Sequence, residues 1–243
     1  VKDSSYALGI IASNFYDNPS NKLKLVGVTG TNGKTTTVTL LYNLFTELGY
    51  KTGLISTVEN IINGKKFNST HTTPDAVSLN KLLYDMVNEG CTHCFMEVSS
   101  HSIIQNRIAG TVFCGGVFTN ITHDHLDYHK TFDEYLKAKK TFFDSLSKNA
   151  FALSNADDRN GNVMLQNSRA KKYFYSIGRM SDFRAKILEN SFNGLVLNID
   201  NVELWTRLVG VFNAYNILTV YAIAILLNED KNSVLTILSN IKG

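Results

Sequence analysis

A glycine-rich segment between two apolar stretches constrains the fold of this 243-residue chain more than any other feature. Residues 23–29 form a short apolar run that contains valines, and residues 37–48 carry leucines at helical spacing. The segment Gly30-Thr31-Asn32-Gly33-Lys34-Thr35-Thr36 lies between them. A strand, a glycine-rich turn and a helix in this order predict a parallel βαβ unit whose turn can hold phosphate groups at the helix N-terminus.

All seven residues of this loop are candidate nucleotide-binding residues. The glycines allow backbone amides to approach phosphate oxygens closely, and Lys34 can neutralise the terminal phosphates. The hydroxyl of Thr35 can bind a Mg²⁺ ion that bridges those phosphates. The general pattern for such loops has a glycine at position 28, but this chain has Val28 there, between Gly27 and Gly30.

Strand and helix patterns alternate along the rest of the chain. Apolar runs at 52–57, 94–98, 114–119 and 150–155 predict strands, with helices at 78–88 and 132–146. Residues 171–209 carry short strand-like runs separated by turn residues, and helices are predicted at 213–227 and 233–241. We therefore predict an α/β fold: a P-loop-type, mostly parallel sheet with helices on both faces and a small antiparallel β annex.

The charge distribution excludes some classes of partner. The chain has 24 basic and 21 acidic residues with no long run of either sign, which predicts binding neither to nucleic acid nor to a membrane surface. The longest apolar stretch, 217–227, is too short to span a bilayer, and no signal peptide is visible. The cytoplasm is the expected location, and small anionic molecules remain as partners.

The spacing Cys91-Thr92-His93-Cys94 also occurs in zinc and redox sites. A structural zinc site needs about four ligands, however, and the chain has only three cysteines and no second pair. Cys94 opens the apolar run Cys94-Phe95-Met96, where a small buried side chain is expected. We therefore predict a buried cysteine rather than a metal or redox centre.

Two polar features follow predicted strands. Glu97 ends one strand, where doubly wound sheets collect ligands, so it is either a Mg²⁺ ligand or a solvated surface carboxylate. Residues 119–129 follow the next strand and contain three histidines and two aspartates, a density that indicates catalysis or metal binding. Zinc is one candidate, but Mg²⁺ prefers oxygen ligands and can accept a single imidazole among carboxylates.

The segment from Gly27 to Thr36, with its displaced first glycine, resembles the ATP loop of the Mur ligase family, whose relatives include folylpolyglutamate synthases. Glu97-Val98-Ser99-Ser100-His101 is similar to a signature of its MurE-type branch. The resemblance implies that Thr35 and Glu97 bind magnesium. It also implies that His125, in Asp124-His125-Leu126-Asp127, binds a second magnesium ion.

Lys139 is a site residue only through this resemblance. Beside Lys137 and Lys140 on a predicted helix, it would otherwise be read as a solvated lysine. A lysine at this spacing after Tyr135 resembles the family lysine that CO₂ carbamylates. The resemblance therefore implies that Lys139 becomes a carboxylate-like anion at the second Mg²⁺.

Further stretches resemble the substrate and adenine sites of the family. His71-Thr72-Thr73-Pro74 resembles a stretch that binds the nucleotide-sugar peptide, although a helix cap with a proline is a good alternative. Ser99, Gln105 and Arg107 match the same branch, and an arginine can pair with a pyrophosphate or carboxylate. Gly210-Val211-Phe212-Asn213-Ala214-Tyr215-Asn216 resembles the Gly-x-x-Asn-x-x-Asn motif of the family, in which Asn213 is expected to read the adenine edge. Asn155-Ala156-Asp157-Asp158 matches an element expected near the nucleotide, although its composition also fits a plain turn.

The resemblance implies an ADP-forming ligase that uses ATP and Mg²⁺. It would join a diamino acid, meso-diaminopimelate or L-lysine, to UDP-MurNAc-L-Ala-D-Glu through an acyl phosphate. Residues 1–22 would be a linker helix after an N-terminal UDP-binding domain, and 23–243 the central ATP-binding domain. Without the C-terminal amino-acid-binding domain, the chain is expected to bind ATP without ligating. Open alternatives are a folylpolyglutamate-synthase-type ligase, a nucleotide-driven switch or motor, and a noncatalytic nucleotide-binding module.

Overall fold

The computed structural model describes residues 1–69, 71–122 and 131–241. Strands and helices alternate along most of these residues, as the sequence predicts. The elements in chain order are α1 (Ser4–Phe15), a 3₁₀ turn (Pro19–Lys22), β1 (Lys24–Thr29), α2 (Lys34–Glu47), β2 (Thr52–Ile55), β3 (Glu59–Ile62), β4 (Lys65–Asn68), α3 (Ala76–Asn88), β5 (His93–Glu97), α4 (Ser100–Ile104), β6 (Gly115–Phe118), α5 (Phe132–Asp144), β7 (Phe151–Asn155), α6 (Gly161–Leu165), β8 (Lys171–Ser176), β9 (Phe183–Ser191), β10 (Gly194–Ile199), β11 (Val202–Thr206), α7 (Val211–Leu226) and α8 (Lys231–Asn240).

One sheet joins all eleven of these strands in the order β11-β10-β9-β8-β7-β6-β1-β5-β2-β3-β4. In this spatial order, each strand from β9 through β8, β7, β6, β1 and β5 to β2 pairs in parallel with its neighbour. An antiparallel hairpin extends each edge, β10–β11 beside β9 and β3–β4 beside β2. The predicted α/β fold with a mostly parallel sheet is therefore confirmed.

The annex differs in detail from the prediction. Residues 171–176, expected within it, form β8 and pair in parallel with β7, so they belong to the main sheet. The antiparallel part is β9 to β11, and it continues the main sheet. A second hairpin, β3–β4, was not predicted, although its Asn63-Gly64 turn is a typical hairpin signal.

Two apolar cores cover the two faces of the sheet. On one face, Val26 and Val28 of β1 belong to a cluster with buried residues of α2, α7 and α8. On the other, Leu25 belongs to a cluster with buried residues of α3, α5 and α6. Successive side chains of a strand point to opposite faces, so burial on both sides explains the nearly continuous apolar runs of these strands. Cys94 is fully buried in the second cluster, which confirms the prediction of a buried cysteine.

The register of the parallel strands brings the segments that carry polar residues to one edge. Val28 pairs with Glu97, Thr29 with Phe118, and Phe118 with Ser154. The segments that follow β1, β5, β6 and β7 therefore all start at the carboxyl edge of the sheet, where α/β folds bind ligands. None of the helices in the described part of the chain has the length and apolar character needed to cross a membrane.

Candidate nucleotide and metal site

The glycine-rich loop connects β1 directly to α2, whose first residue is Lys34. The helix thus begins three residues earlier than the apolar spacing predicts, and Lys34 and Thr35 lie in its first turn. Gly30 has φ +152°, and a Cβ there would come within 1.9 Å of Thr119 Oγ1. A side chain at position 30 would therefore push the loop away from the end of β6.

Two residues after β6 hold the loop in place. The backbone amide of Thr31 donates to the carbonyl oxygen of Asn120 (2.8 Å), and that of Asn32 donates to Asn120 Oδ1 (2.9 Å). Thr119 Oγ1 donates to the carbonyl oxygen of Asn32 (2.7 Å). Sequence reasoning did not single out Asn120, because its role depends on the pairing of β6 beside β1.

Lys34 and Lys139 converge on this loop. Lys34 Nζ donates to the carbonyl oxygens of Gly30 (2.9 Å) and Thr31 (2.8 Å). Lys139 Nζ donates to the same Gly30 oxygen (3.1 Å) and lies 4.5 Å from the centre of the Tyr135 ring. Burial and the charge of Lys34 hold the pKa of Lys139 well below its usual value.

The ordinary interpretation of Lys139 as a solvated lysine is wrong. Its side chain is 1% exposed and lies on the inner side of α5. Tyr135, one turn earlier on α5, places its hydroxyl 3.2 Å from Thr31 Oγ1. The same helix therefore brings both a buried amine and an aromatic ring to the phosphate loop.

Glu97 is fully buried, so a solvated carboxylate is excluded. Its Oε1 accepts hydrogen bonds from Thr35 Oγ1 (2.9 Å) and the Thr57 amide (2.8 Å). Its Oε2 accepts one from Thr57 Oγ1 (3.2 Å). Thr57, which follows β2, was not predicted. A carboxylate beside a hydroxyl of the phosphate loop is a set of oxygen donors that fits Mg²⁺, which prefers such hard ligands.

The second predicted metal site is only partly described. His125 lies outside the described residues, as do the two aspartates beside it. Within residues 1–69, 71–122 and 131–241, no three His, Cys, Asp or Glu side chains cluster as metal ligands would. Lys139 is the member of the predicted second site that the structure describes.

A cleft of about 330 Å³ lies between the phosphate loop and α7. Aromatic and polar side chains share its wall, which is lined by Gly33, Thr36, Thr119, Asn120, Asn155, Asp157, Asp158, Tyr175, Phe212, Tyr215 and Asn216. Asn213 lies beside this wall, and its Oδ1 accepts a hydrogen bond from Asn216 Nδ2 (3.0 Å). Asn216, rather than Asn213, faces Gly33. The sequence did not identify the aromatic side chains of Tyr175, Phe212 and Tyr215 as parts of this cleft, because only the fold brings β8 and α7 together.

The residues predicted to bind the second substrate line two adjoining grooves. Thr72, Thr73, Ser99 and Arg107 line one of about 390 Å³, and Gln105 and Arg107 line the other, of about 380 Å³. Arg107 Nη1 donates to the carbonyl oxygen of Thr73 (2.7 Å), and its Nε donates to Gln105 Oε1 (2.8 Å).

The alternative interpretation of Thr72 and Thr73 as a helix cap is wrong. Asp75 caps α3, accepting hydrogen bonds from the amides of Val77 and Ser78. Thr73 Oγ1 instead donates to the carbonyl oxygen of Glu97 (2.8 Å), which ties this groove to the end of β5.

Comparison with known proteins relates this arrangement to one family. Residues 28–224 match the model of the Mur ligase middle domain. A UDP-N-acetylmuramoyl-L-alanyl-D-glutamate--2,6-diaminopimelate ligase of Cytophaga hutchinsonii is 67% identical over 243 residues, which cover 100% of this chain and 50% of the relative. A ligase of the same name from Bacteroides thetaiotaomicron is 56% identical over 241 residues, with 99% and 50% covered.

Solved structures agree with the sequence relatives. The solved structure of a ligase with the same name matches this chain with a TM-score of 0.86 and 26% identity. The match covers 98% of this chain and 51% of the chain in that structure. MurF from Acinetobacter baumannii shares the fold, with a TM-score of 0.79 at 17% identity. This chain spans about half the length of the curated relatives it matches. The match over residues 28–224 and these identities show that the chain belongs to the Mur ligase family, whose middle domain it contains.

Proposed function

We propose that the protein containing this chain is an ADP-forming amide ligase of peptidoglycan precursor synthesis. It would add 2,6-diaminopimelate to UDP-N-acetylmuramoyl-L-alanyl-D-glutamate. The proposal rests on one observation: a buried carboxylate and a buried lysine both lie within hydrogen-bonding distance of the phosphate loop in a single site. Thr35 Oγ1 lies 2.9 Å from Glu97 Oε1, and Lys34 and Lys139 share the Gly30 oxygen.

ATP is the proposed nucleotide. Its phosphates would lie along residues 30–36, where backbone amides and the N-terminus of α2 favour negative charge. Its base and ribose would occupy the cleft of about 330 Å³. Phe212 lines that cleft and is 68% exposed, which suits an aromatic ring that stacks on a purine base.

Mg²⁺ is the proposed metal. Thr35 and Glu97 would hold one ion, and His125 and a carbamylated Lys139 would hold a second. Bound Mg²⁺ offsets the charge that develops when two anionic substrates approach each other. Carbamylation is supported by the burial of Lys139 and its lowered pKa, because the neutral amine is the form that attacks CO₂.

The proposed reaction has two steps. A carboxylate oxygen of the acceptor attacks the terminal phosphorus of ATP, and the bond from that phosphorus to the ADP oxygen breaks. The amine of the amino acid then attacks the acyl phosphate, loses a proton and expels phosphate through a tetrahedral intermediate. Lys34 would stabilise the transferring phosphoryl group, and Arg107 would orient the acceptor.

Diaminopimelate is proposed over L-lysine because the sequence relatives cited above carry it in their names. Thr72, Thr73, Ser99, Gln105 and Arg107 are the proposed contacts for the UDP-linked acceptor. We place the reaction in the cytoplasm. Residues 23–243 would serve as the ATP-binding domain, with the amino acid bound elsewhere in the full-length protein.

ADP release by the full-length protein tests this function. We expect release to require ATP, the UDP-linked dipeptide and diaminopimelate together, and to stop when either co-substrate is omitted. Equal ADP release with ATP alone would instead indicate a nucleotide switch or motor. Activity with a folate and glutamate, but not with the UDP-linked dipeptide, would indicate the other branch of the family.

A further inference from the structure

One carboxylate connects three segments around the nucleoside cleft. Asp157 follows β7, and its Oδ1 accepts a hydrogen bond from Ser176 Oγ (2.8 Å). Its Oδ2 accepts three more, from the amides of Ile177 (2.8 Å) and Gly178 (3.2 Å) and from Tyr215 OH (3.0 Å). The Asp157 side chain thereby links the end of β7, the turn after β8 and helix α7.

Tyr215 belongs to the part of α7 that forms the wall of the cleft. It precedes Asn216, whose Oδ1 faces Gly33 of the phosphate loop, and it follows Phe212 by one turn. Tyr215 and Asp157 both line the cleft themselves. The Tyr215–Asp157 hydrogen bond therefore ties the first turns of α7 to the carboxyl edge of the sheet.

Both partners are held in the protonation states that this bond needs. Burial acts to raise the pKa of Asp157, but the hydrogen bonds from Ser176, Ile177, Gly178 and Tyr215 outweigh it and lower the pKa overall. Burial and the hydrogen bond to Asp157 raise the pKa of Tyr215 to about 12. At neutral pH, an ionised carboxylate therefore accepts from a protonated phenol, which is a charge-assisted hydrogen bond.

We propose that Asp157 and Tyr215 are positioning residues for the nucleoside of ATP, acting through the first turns of α7 rather than on the phosphates. The hydrogen bond holds Phe212 and Asn216 at the distance from the phosphate loop that a bound nucleoside requires. This inference rests on the proposed binding of ATP in the cleft. Preorganised side chains lower the cost of ordering on binding, so the bond contributes to nucleotide affinity.

The same helix supplies a matched control. Tyr221 also lies on α7 and also donates from its hydroxyl to a carboxylate, that of Asp200. Neither Tyr221 nor Asp200 lines the cleft. Tyr221→Phe therefore removes an equivalent bond from the same helix without touching the nucleoside wall.

The test compares two probes by calorimetric titration of wild type, Tyr215→Phe, Asp157→Asn, the double variant and Tyr221→Phe. The probes are Mg²⁺–ATP and inorganic tripolyphosphate, which has no nucleoside and is expected to occupy only the phosphate loop. We expect Tyr215→Phe to weaken ATP binding about tenfold, since one charge-assisted hydrogen bond is lost, and to leave tripolyphosphate binding within about twofold. The double variant is expected to bind ATP no more weakly than the weaker single variant, and Tyr221→Phe to bind both probes like wild type.

Three results would overturn the inference. The first is an ATP affinity of Tyr215→Phe equal to that of wild type. The second is an equal loss of affinity for ATP and for tripolyphosphate in Tyr215→Phe. The third is a loss of ATP affinity in Tyr221→Phe as large as that in Tyr215→Phe. Failure of the wild-type protein to bind ATP would instead sink the proposed function. If Asp157→Asn does not fold, the comparison of Tyr215→Phe with Tyr221→Phe decides the question by itself.

Discussion

Lys34 and Lys139 donate hydrogen bonds to the same atom, the carbonyl oxygen of Gly30, at 2.9 and 3.1 Å. The two amines reach it from different helices, α2 and α5. Burial of Lys139 disfavours its charged form, and the neighbouring Lys34 amine adds charge repulsion, so both lower the pKa of Lys139. The site therefore shifts Lys139 towards its neutral form.

A carbamylated Lys139 predicts that ligation depends on CO₂. We expect the full-length wild-type protein to lose activity in CO₂-depleted buffer and to regain it on addition of bicarbonate. Lys139→Arg, which cannot be carbamylated, is expected to be about 100-fold less active, since a group at the reacting phosphates is lost. Bicarbonate should not restore it.

Lys137→Arg is the control for this prediction, because Lys137 lies on the same helix and is exposed. It should keep both the activity and the bicarbonate response. Full activity of Lys139→Arg would contradict the proposed carbamylation of Lys139.

The Thr35–Glu97 pair predicts a specific dependence on Mg²⁺. Thr35→Val removes the hydroxyl at nearly constant shape, and Glu97→Gln removes the negative charge. Both are expected to raise the Mg²⁺ concentration for half-maximal ligation and to lower the maximal rate about 100-fold, because metal-bound charge stabilisation is lost.

Thr35→Ser keeps the hydroxyl and is the matched control, measured by titrating Mg²⁺ at saturating ATP. It should stay within about threefold of wild type. A Glu97→Gln variant with an unchanged Mg²⁺ requirement would argue against Glu97 as a ligand.

Alanine substitutions at Gly30 and Gly49 distinguish two effects. One is the steric contact of the phosphate loop with its neighbours, and the other is the backbone conformation alone. Gly30→Ala would bring a methyl group within 1.9 Å of Thr119 Oγ1, so we expect ATP binding to be lost. Gly49 has φ +93° with no atom within 4 Å of an added Cβ, so Gly49→Ala should cost about 1 kcal/mol of unfolding free energy and keep ATP affinity. Denaturant unfolding and ATP titration of both variants check this, and a normal ATP affinity in Gly30→Ala would contradict it.

His93 predicts how stability depends on pH. Its ring is 1% exposed and lies 4.4 Å from Tyr50 and 4.8 Å from Phe45 between ring centres. Burial, with a contribution from the charge of Lys24, lowers its pKa to about 4. The unfolded chain, with a pKa near 6.5, binds the proton more readily, so the protein loses stability as the pH falls from about 6.5 to 4.

The loss attributable to His93 is roughly 2 to 3 kcal/mol. Replacing His93 with Phe keeps an aromatic ring and removes the titration. Urea unfolding at pH 7 and pH 4 should therefore show a smaller loss of stability in His93→Phe than in wild type. Equal losses in the two proteins would show that His93 does not titrate as its burial requires.

The order of strands and helices and the phosphate loop could be predicted from local sequence. Apolar runs and helical spacing depend on neighbouring residues, and Lys34 and Thr35 follow directly from the loop pattern. The β3–β4 hairpin was also signalled, by Asn63-Gly64, but the apolar pattern around it is short.

Contacts between distant segments could not be predicted in this way. The burial of Lys139 depends on how α5 packs against the loop, and local charge pattern indicates the opposite. Three site residues form hydrogen bonds with partners that are distant in sequence. Thr57 lies 40 residues from Glu97, Asn120 lies 88 from Asn32, and Tyr215 lies 58 from Asp157. Their roles require the strand order, which periodicity does not encode.

Transfer of the acceptor oxygen to phosphate tests the formation of an acyl phosphate directly. UDP-N-acetylmuramoyl-L-alanyl-D-glutamate, labelled with ¹⁸O in the reacting carboxylate, is incubated with the full-length protein, Mg²⁺–ATP and diaminopimelate, and the inorganic phosphate is analysed by mass spectrometry. Acyl-phosphate formation predicts one ¹⁸O atom in phosphate for each amide bond formed. Amide product accompanied by unlabelled phosphate, or ADP formed without any amide product, would contradict it.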